Sequence, residues 1–97
     1  MIQASVVTIG DNAFVSCYGL RKLTIEEGVE EIGNYAFAYC ERLTDVVLPN
    51  SLTNLGYNTF TNCDVLESVE IGNGLKNVPY GMCSNCPELE TVVLVQK

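Results

Sequence analysis

Cysteine is the residue type in this 97-residue sequence with the most chemical options, because its thiol can bind zinc, form disulfides or act as a nucleophile. Four of the five cysteines are evenly spaced along the chain, and these are Cys17, Cys40, Cys63 and Cys86. Cys83 and Cys86 have the Cys-x-x-Cys spacing of half a zinc site, but no second such pair and no histidine completes the ligand set. Even spacing gives the cysteines equivalent positions in a repeat and favours a column of buried thiols. Disulfides between neighbouring repeats are the weaker alternative, because five cysteines cannot all pair, and zinc is the weakest.

Clustered glutamates are the second group of residues that could act on a ligand. Four of them lie close together in the sequence and form an acidic patch, which comprises Glu26, Glu27, Glu30 and Glu31. We interpret this patch as a solvated turn. A weak calcium site and a docking patch for a basic partner are the alternatives.

The overall charge excludes several classes of partner. Twelve acidic residues against five basic ones give a net charge of −7, so neither nucleic acid nor an anionic membrane surface is expected as a partner. No apolar run reaches the length of about 18 residues that membrane insertion requires, and the first residues do not resemble a signal peptide. Glu67 and Glu70 could in principle flank a glycosidic bond, but no pocket is expected beside them. Without histidine, a nucleophile motif or a metal-ligand set, the sequence predicts no catalytic residues, no metal site and no cofactor.

The 23-residue interval of the cysteines extends to the apolar residues along the whole chain. Columns of residues repeat at this step without an insertion or deletion, and they are Ile9-Ile32-Leu55-Val78, Leu20-Leu43-Leu66-Leu89, Leu23-Val46-Val69-Val92, Ile25-Leu48-Ile71-Leu94 and Phe14-Phe37-Phe60-Cys83. A fixed period between about 20 and 50 residues is typical of solenoid proteins, in which each repeat forms one coil.

Each repeat contains two predicted elements. Residues 43–48 end in an alternation, with Val46 and Leu48 on one face and Asp45 and Val47 on the other. This pattern predicts a short strand. Residues 32–40 place apolar side chains at i, i+4, i+5 and i+8, which predicts one or two turns of α or 3-10 helix packed inward. One coil cannot close a core alone, so we expect parallel stacking of coils at about 4.8 Å.

These repeats resemble the BspA-like leucine-rich repeat family, whose pattern is I-G-x-x-A-F-x-x-C-x-x-L-x-x-V-x-L-P-x-S-L. The copy from Ile32 to Leu52 matches every marked position, and the resemblance extends over essentially the whole chain. We therefore predict an α/β leucine-rich-repeat solenoid of about four coils, with a parallel strand ladder on one face and short helical or 3-10 turns on the other. The asparagine ladder of the general leucine-rich repeat is expected to be absent, because Ser51, Gly28 and Gly74 occupy its position.

The chain is predicted to form a single leucine-rich repeat domain, residues 1–97, with repeats at about 9–31, 32–54, 55–77 and 78–97 and a remnant of a preceding repeat at 1–8. The repeat pattern opens in the middle of one coil and closes just after a strand. We therefore expect either a piece of a longer array or end-to-end self-association through exposed strand edges.

The outward face of the strand ladder is the surface that we expect to bind a partner. Stacking places two rows of chemically varied side chains there, which are Lys22, Asp45, Ser68 and Thr91, and Thr24, Val47, Glu70 and Val93. Val47 and Val93, expected to be exposed among polar neighbours, suit a modest protein-contact patch. The predicted function is a non-enzymatic module that presents this face to a protein or glycan. The family resemblance implies adhesion at an extracellular or cell-surface location, within a larger protein. The alternative is a purely structural spacer, or a self-associating segment, with no ligand.

Overall fold

Two parallel β-sheets run along the molecule, and a computed structural model describes them through residues 7–75 and 81–94. The three-stranded sheet contains β1 (Thr8–Ile9), β3 (Glu31–Ile32) and β5 (Asn54–Leu55). The four-stranded sheet contains β2 (Lys22–Thr24), β4 (Asp45–Val47), β6 (Ser68–Ile71) and β7 (Thr91–Leu94). From β1 to β6, successive strands alternate between the two sheets, so each coil contributes one strand to each of them.

Neighbouring strands pair with a constant offset that equals the sequence period. In the four-stranded sheet Leu23 pairs with Val46 and Val46 with Val69, and in the three-stranded sheet Ile9 pairs with Ile32. Each repeat therefore forms one coil that stacks in parallel on the coil before it. The predicted solenoid with a parallel strand ladder is confirmed, whereas the three-stranded sheet was not predicted. The column position Val78 and the parts of the repeats in 1–6, 76–80 and 95–97 lie outside the described residues, and the division into four repeats of one domain stays a prediction.

Within residues 7–75 and 81–94, the segments that lead from the three-stranded to the four-stranded sheet contain turns and no helix. The predicted α or 3-10 turns are therefore wrong. The fold is a β-solenoid rather than α/β. In the second coil the N–H groups of Tyr35, Phe37 and Tyr39 donate to carbonyls of the next coil at 3.3, 3.0 and 2.9 Å. A helix would use these donors internally. Left-handed backbone conformations recur twice per coil and interrupt any helical run, at Asn12, Ser16, Tyr35, Tyr39, Asn58, Asn62, Gly81 and Asn85.

Columns of apolar side chains fill the interior of the solenoid. The rings of Phe14, Phe37 and Phe60 stack at centroid separations of 5.2 and 5.7 Å with nearly parallel planes. Phe37 and Phe60 are fully buried, whereas Phe14 in the first described coil is half-buried. The other buried columns are Ile9-Ile32, Leu23-Val46-Val69, Ile25-Leu48-Ile71, Val29-Leu52, Leu43-Leu66 and Cys40-Cys63. Each apolar column thus buries its surface against the same column of the next coil, at a gain of about 25 cal/mol per Å².

Polar side chains join the coils where each one leaves the three-stranded sheet. Asp11 Oδ1 accepts a hydrogen bond from the Asn34 N–H at 2.8 Å, and Asn34 Oδ1 accepts one from the Tyr57 N–H at 3.0 Å. Gly33 lies directly before Asn34 and so close to the preceding coil that a Cβ would stand 2.5 Å from the Asp11 nitrogen. At Gly10, by contrast, a Cβ would meet nothing within 4 Å. Glycine is therefore required at the stacked position and only tolerated at the first one.

A second set of side-chain contacts joins the corners that follow the four-stranded sheet. The Glu27 carboxylate accepts from the N–H groups of Asn50 and Ser51 at 2.8 and 3.0 Å, and Asn50 Oδ1 accepts from the Asn73 N–H at 2.8 Å. Ser51 occupies the position that carries asparagine in the general leucine-rich repeat. Its hydroxyl accepts a hydrogen bond from the Gly28 N–H at 2.8 Å. One member of the acidic patch thus has a structural role, which the interpretation as a solvated turn did not include.

Replacing Phe37 by alanine should lower the free energy of unfolding by about 3–5 kcal/mol, because it leaves a cavity in the middle of the ring stack. Chemical denaturation followed by circular dichroism measures this. The exposed Val65→Ala variant is the control and should change stability by less than about 0.5 kcal/mol. A loss below about 1 kcal/mol for Phe37→Ala would contradict the inward ring column.

Gly33→Ala should destabilise the protein by about 1–3 kcal/mol, since the new methyl group overlaps the backbone of the preceding coil. Gly10→Ala is the matched control in the first coil, where the space is open and a neutral or slightly stabilising effect is expected. Equal midpoints of thermal unfolding for the two variants would show that coils are not packed as closely as described.

Candidate functional site

All eight predicted site residues belong to the four-stranded sheet and share its outer face. The register pairs Lys22 with Asp45, Asp45 with Ser68 and Ser68 with Thr91. Two positions further along the strands, it forms a second row of Thr24, Val47, Glu70 and Val93. Between the two rows the strands turn Leu23, Val46 and Val69 into the core. The structure thus brings the eight side chains together as two rows, which we call the strand face, while their role in binding stays a prediction.

Exposure of the two outward valines meets the expectation at Val93 and differs from it at Val47. Val47 is half-buried rather than exposed, because Thr24 and Glu70 flank it on the neighbouring strands. Val93 is 44% exposed, as expected, and Val92 is 46% exposed although its column is otherwise buried. The apolar surface of this sheet therefore concentrates on β7, the last strand described.

Asp45 organises the polar row of the strand face. Its Oδ1 accepts from the Ser68 hydroxyl at 2.8 Å, its Oδ2 accepts from the Thr44 hydroxyl at 2.9 Å, and the Lys22 ammonium lies 3.5 Å away. The hydrogen bonds from Ser68 and Thr44, with a smaller contribution from Lys22, hold the pKa of the Asp45 carboxyl below its usual range. The carboxylate is therefore ionised at neutral pH and links three successive coils.

A groove of about 260 Å³ borders the strand face at the carboxyl ends of the strands. Thr24, Val47 and Glu70 of the second row line it together with Glu26 and Glu27 of the acidic patch. The Glu27 carboxylate is occupied by the backbone of the next corner, which leaves Glu26 and Glu70 to face a ligand. The sequence analysis had treated the acidic patch and the strand face as separate features. Glu27, Asn50 and Asn73 are each one 23-residue period apart, and this column of polar residues could have predicted a hydrogen-bonded corner.

The fold and repeat pattern agree with a known family. The sequence model of the BspA type leucine rich repeat region matches this chain in six copies over residues 1–97. The chain belongs to the BspA-type leucine-rich repeat family. Repeats of this family are often adhesion or protein-binding modules, and such solenoids are typically non-enzymatic scaffolds. Comparisons with curated proteins and with solved structures give no significant match.

The cysteines of this BspA-type repeat form a hydrogen-bonded thiol column. The thiols of Cys40 and Cys63 donate to the carbonyls of Phe14 and Phe37 in the preceding coil at 3.4 and 3.3 Å. Both side chains are fully buried, and burial raises the pKa of Cys40 and raises that of Cys63 to about 12. The predicted buried column is confirmed for these two residues, and all five cysteines are free thiols. The sequence analysis missed the carbonyl partner, which gives each thiol a polar role.

The other chemical possibilities raised by the sequence find no geometry in the described parts of this BspA-type chain. Residues 7–75 and 81–94 contain no group of three or more potential metal ligands, and no helix there has the length and apolar character to cross a membrane. Glu67 is exposed and does not line the groove that Glu70 lines. The structure therefore does not join these two carboxylates in one pocket.

Native-state alkylation at neutral pH should leave Cys40 and Cys63 protected, because their thiols are buried, hydrogen-bonded and fully protonated. Digestion and mass spectrometry after a short pulse of iodoacetamide measures the modified fraction at each cysteine. In guanidinium chloride both residues should react at the rate of an unfolded thiol. Rapid labelling of either residue in the native protein would contradict the buried column.

Proposed function

We propose that this chain is a non-enzymatic binding module that presents the strand face to a protein partner. The observation that carries the proposal is the contrast between inward and outward rows of the four-stranded sheet. The inward rows are uniformly aliphatic, whereas the outward rows combine a cation, carboxylates, hydroxyls and valines in a fixed register. Such a rigid and chemically varied surface can recognise a partner without reorganising, which keeps the entropic cost of binding low.

The groove beside the strand face indicates the chemistry of that partner. Glu26, Glu70 and Val47 all line it, so two carboxylates and a small apolar side chain border the same groove. In a chain with a net charge of −7 this arrangement favours a basic segment of a protein, whose lysine or arginine side chains would meet the carboxylates. A glycan would use the hydroxyl groups of the face instead, and it is the other partner that the test must distinguish. Nucleic acid is disfavoured by the same charge.

Family membership supports a role in adhesion, with the module forming part of a larger protein at the cell surface or outside the cell. This location rests on the family, whose repeats are often adhesion or protein-binding modules. The buried thiol column is compatible with such a location, since protonated and inaccessible thiols resist oxidation.

A structural role is the second candidate, and exposure at β7 favours it. Val92 is 46% exposed, whereas Val46 and Val69 in the same column are 1% and 0% exposed. A further coil, from a longer array or from a second copy of the chain, would cover Val92 and pair with the β7 backbone. Under this hypothesis the chain continues a solenoid and has no ligand.

Peptide arrays carrying lysine- and arginine-rich, acidic and neutral sequences, together with a glycan array, test the proposed function. A basic peptide should bind, and the Glu26→Gln, Glu70→Gln double variant should weaken its binding about two- to thirtyfold, since exposed ion pairs are worth about 0.2–1 kcal/mol each. The Glu41→Gln, Glu88→Gln double variant is the matched control, because it changes net charge equally at exposed positions outside the groove. Binding confined to glycans, or equal losses in both double variants, would overturn the proposed chemistry. Sedimentation velocity tests the self-associating form of the structural alternative. A protein that sediments as a monomer at every concentration would reject self-association.

A further inference from the structure

The last described coil breaks the ring column, and the replacement is another cysteine. Phe14, Phe37 and Phe60 occupy this column in the first three coils, and Cys83 follows one repeat period after Phe60. The neighbouring column changes in the opposite sense, from Ala36 and Thr59 to Met82, which is buried in the core. The longer Met82 side chain offsets much of the volume that the missing ring would fill. Cys83 therefore places a second thiol next to the regular cysteine column without an equivalent loss of packing.

A tight turn places Cys83 and Cys86 three residues apart along one surface depression, which both side chains line. Left-handed backbone at Gly81 and Asn85, with φ of 68° and 59°, flanks Cys83, and Cys86 follows Asn85 directly. The Ser84 N–H donates to the Gly81 carbonyl at 3.1 Å, which fixes the turn from within. When Cys86 is ionised, the Cys83 thiol is its side-chain donor, which lowers the pKa of Cys86 and raises that of Cys83. The protonated Cys86 thiol donates instead to the Phe60 carbonyl at 3.1 Å.

Both thiols are accessible, unlike the other cysteines of the column that lie in the middle of the solenoid. Cys83 and Cys86 are half-buried and line an open surface depression of about 550 Å³, whose polar wall includes Asn62 and Asp64. Cys40 and Cys63 are 0% exposed. Because this depression is open to solvent, a small disulfide such as oxidised glutathione can approach the residues that line it.

We propose that Cys83 and Cys86 form a dithiol site that reacts with low-molecular-weight disulfides and closes to an intramolecular disulfide. The site is independent of the strand face, and its reaction does not require a protein partner to bind that face. No other described coil offers this pair, because its equivalent position carries phenylalanine.

Cys86 is the attacking thiol. The hydrogen bond from Cys83, together with the backbone N–H of Cys63, lowers the pKa of Cys86 to about 7, so a large fraction is thiolate at neutral pH. The Cys86 sulfur attacks one sulfur of the small disulfide, the S–S bond breaks, and the first thiolate leaves and takes a proton from water. A mixed disulfide on Cys86 results.

Cys83 completes the exchange. The hydrogen bond to the Cys86 thiolate, followed by burial, raises the pKa of Cys83. Once Cys86 is in a mixed disulfide, its thiolate no longer exists. The hydrogen bond to that thiolate, which is the larger cause of the raised pKa of Cys83, is then lost. Cys83 then releases its proton to water and attacks the Cys86 sulfur, and the second small thiolate leaves. Two protein thiols have been oxidised, one small disulfide has been reduced to two thiols, and protons and electrons balance.

Incubation of the full chain with oxidised glutathione, followed by alkylation, digestion and mass spectrometry, tests the site. The wild type should yield a Cys83–Cys86 disulfide, with a rate whose pH midpoint lies near 7, while Cys40 and Cys63 react at least about tenfold more slowly. Cys83→Ser should instead accumulate a glutathione adduct on Cys86.

The Met82→Ala, Cys83→Phe double variant restores the residue pair of the second coil and keeps the test independent of misfolding. It should fold with an unchanged or raised melting temperature, form no intramolecular disulfide, and shift the pH midpoint for Cys86 upward. A wild type that stays reduced at Cys83 and Cys86, or that retains a stable adduct without closing, would overturn the proposal. So would a Cys86 midpoint that is the same in this variant as in the wild type.

Discussion

The fold depends on backbone hydrogen bonds between equivalent positions of successive coils. These bonds occur in both sheets and also in the turn segments, where the Phe37 N–H donates to the Thr59 carbonyl at 3.0 Å. Strands in a sheet lie about 4.8 Å apart, so every side chain has its own equivalent as its nearest neighbour along the solenoid. Side chains that pack well against copies of themselves are therefore favoured in the interior. The phenylalanine stack, at 5.2 and 5.7 Å, meets this condition because flat rings can lie parallel.

The same constraint explains how the polar groups of the corners and turns are satisfied. A backbone donor that has no partner in its own coil is met by a side chain of the coil before it, as the Asn34 N–H is by Asp11 and the Asn50 N–H by Glu27. Backbone carbonyls are met by thiols of the following coil, as the Phe37 carbonyl is by Cys63. Leaving a buried group such as the Phe37 carbonyl without a partner would cost about 1–3 kcal/mol. Cysteine suits this position because it is small, apolar enough for the core and still a weak donor.

The apolar columns and the outward rows were predictable from the sequence because they follow directly from a fixed period. The turns were not, since apolar residues at i, i+4, i+5 and i+8 fit a helix as well as the extended turn segment. The columns headed by Asn12 and Ser16 carried the missing signal, because asparagine and glycine at their later steps tolerate left-handed backbone. The three-stranded sheet escaped prediction because two-residue strands such as Glu31–Ile32 leave no alternation to detect. The groove escaped because it joins residues from a corner and a strand, which no single period relates.

A periodic structure makes departures from the period informative. A residue that matches its column is explained by packing against its equivalents, as Val46 and Val69 are, and it reveals little about function. The outward rows depart at every step, from Lys22 to Asp45 and Ser68, because the fold does not constrain them. Cys83 departs at a half-buried position packed against the core, where the fold does impose a constraint, and the buried Met82 changes with it. A paired change at a constrained position retains the packing while altering the chemistry. It distinguishes the proposed reactive pair, Cys83 and Cys86, from the buried thiols of Cys40 and Cys63.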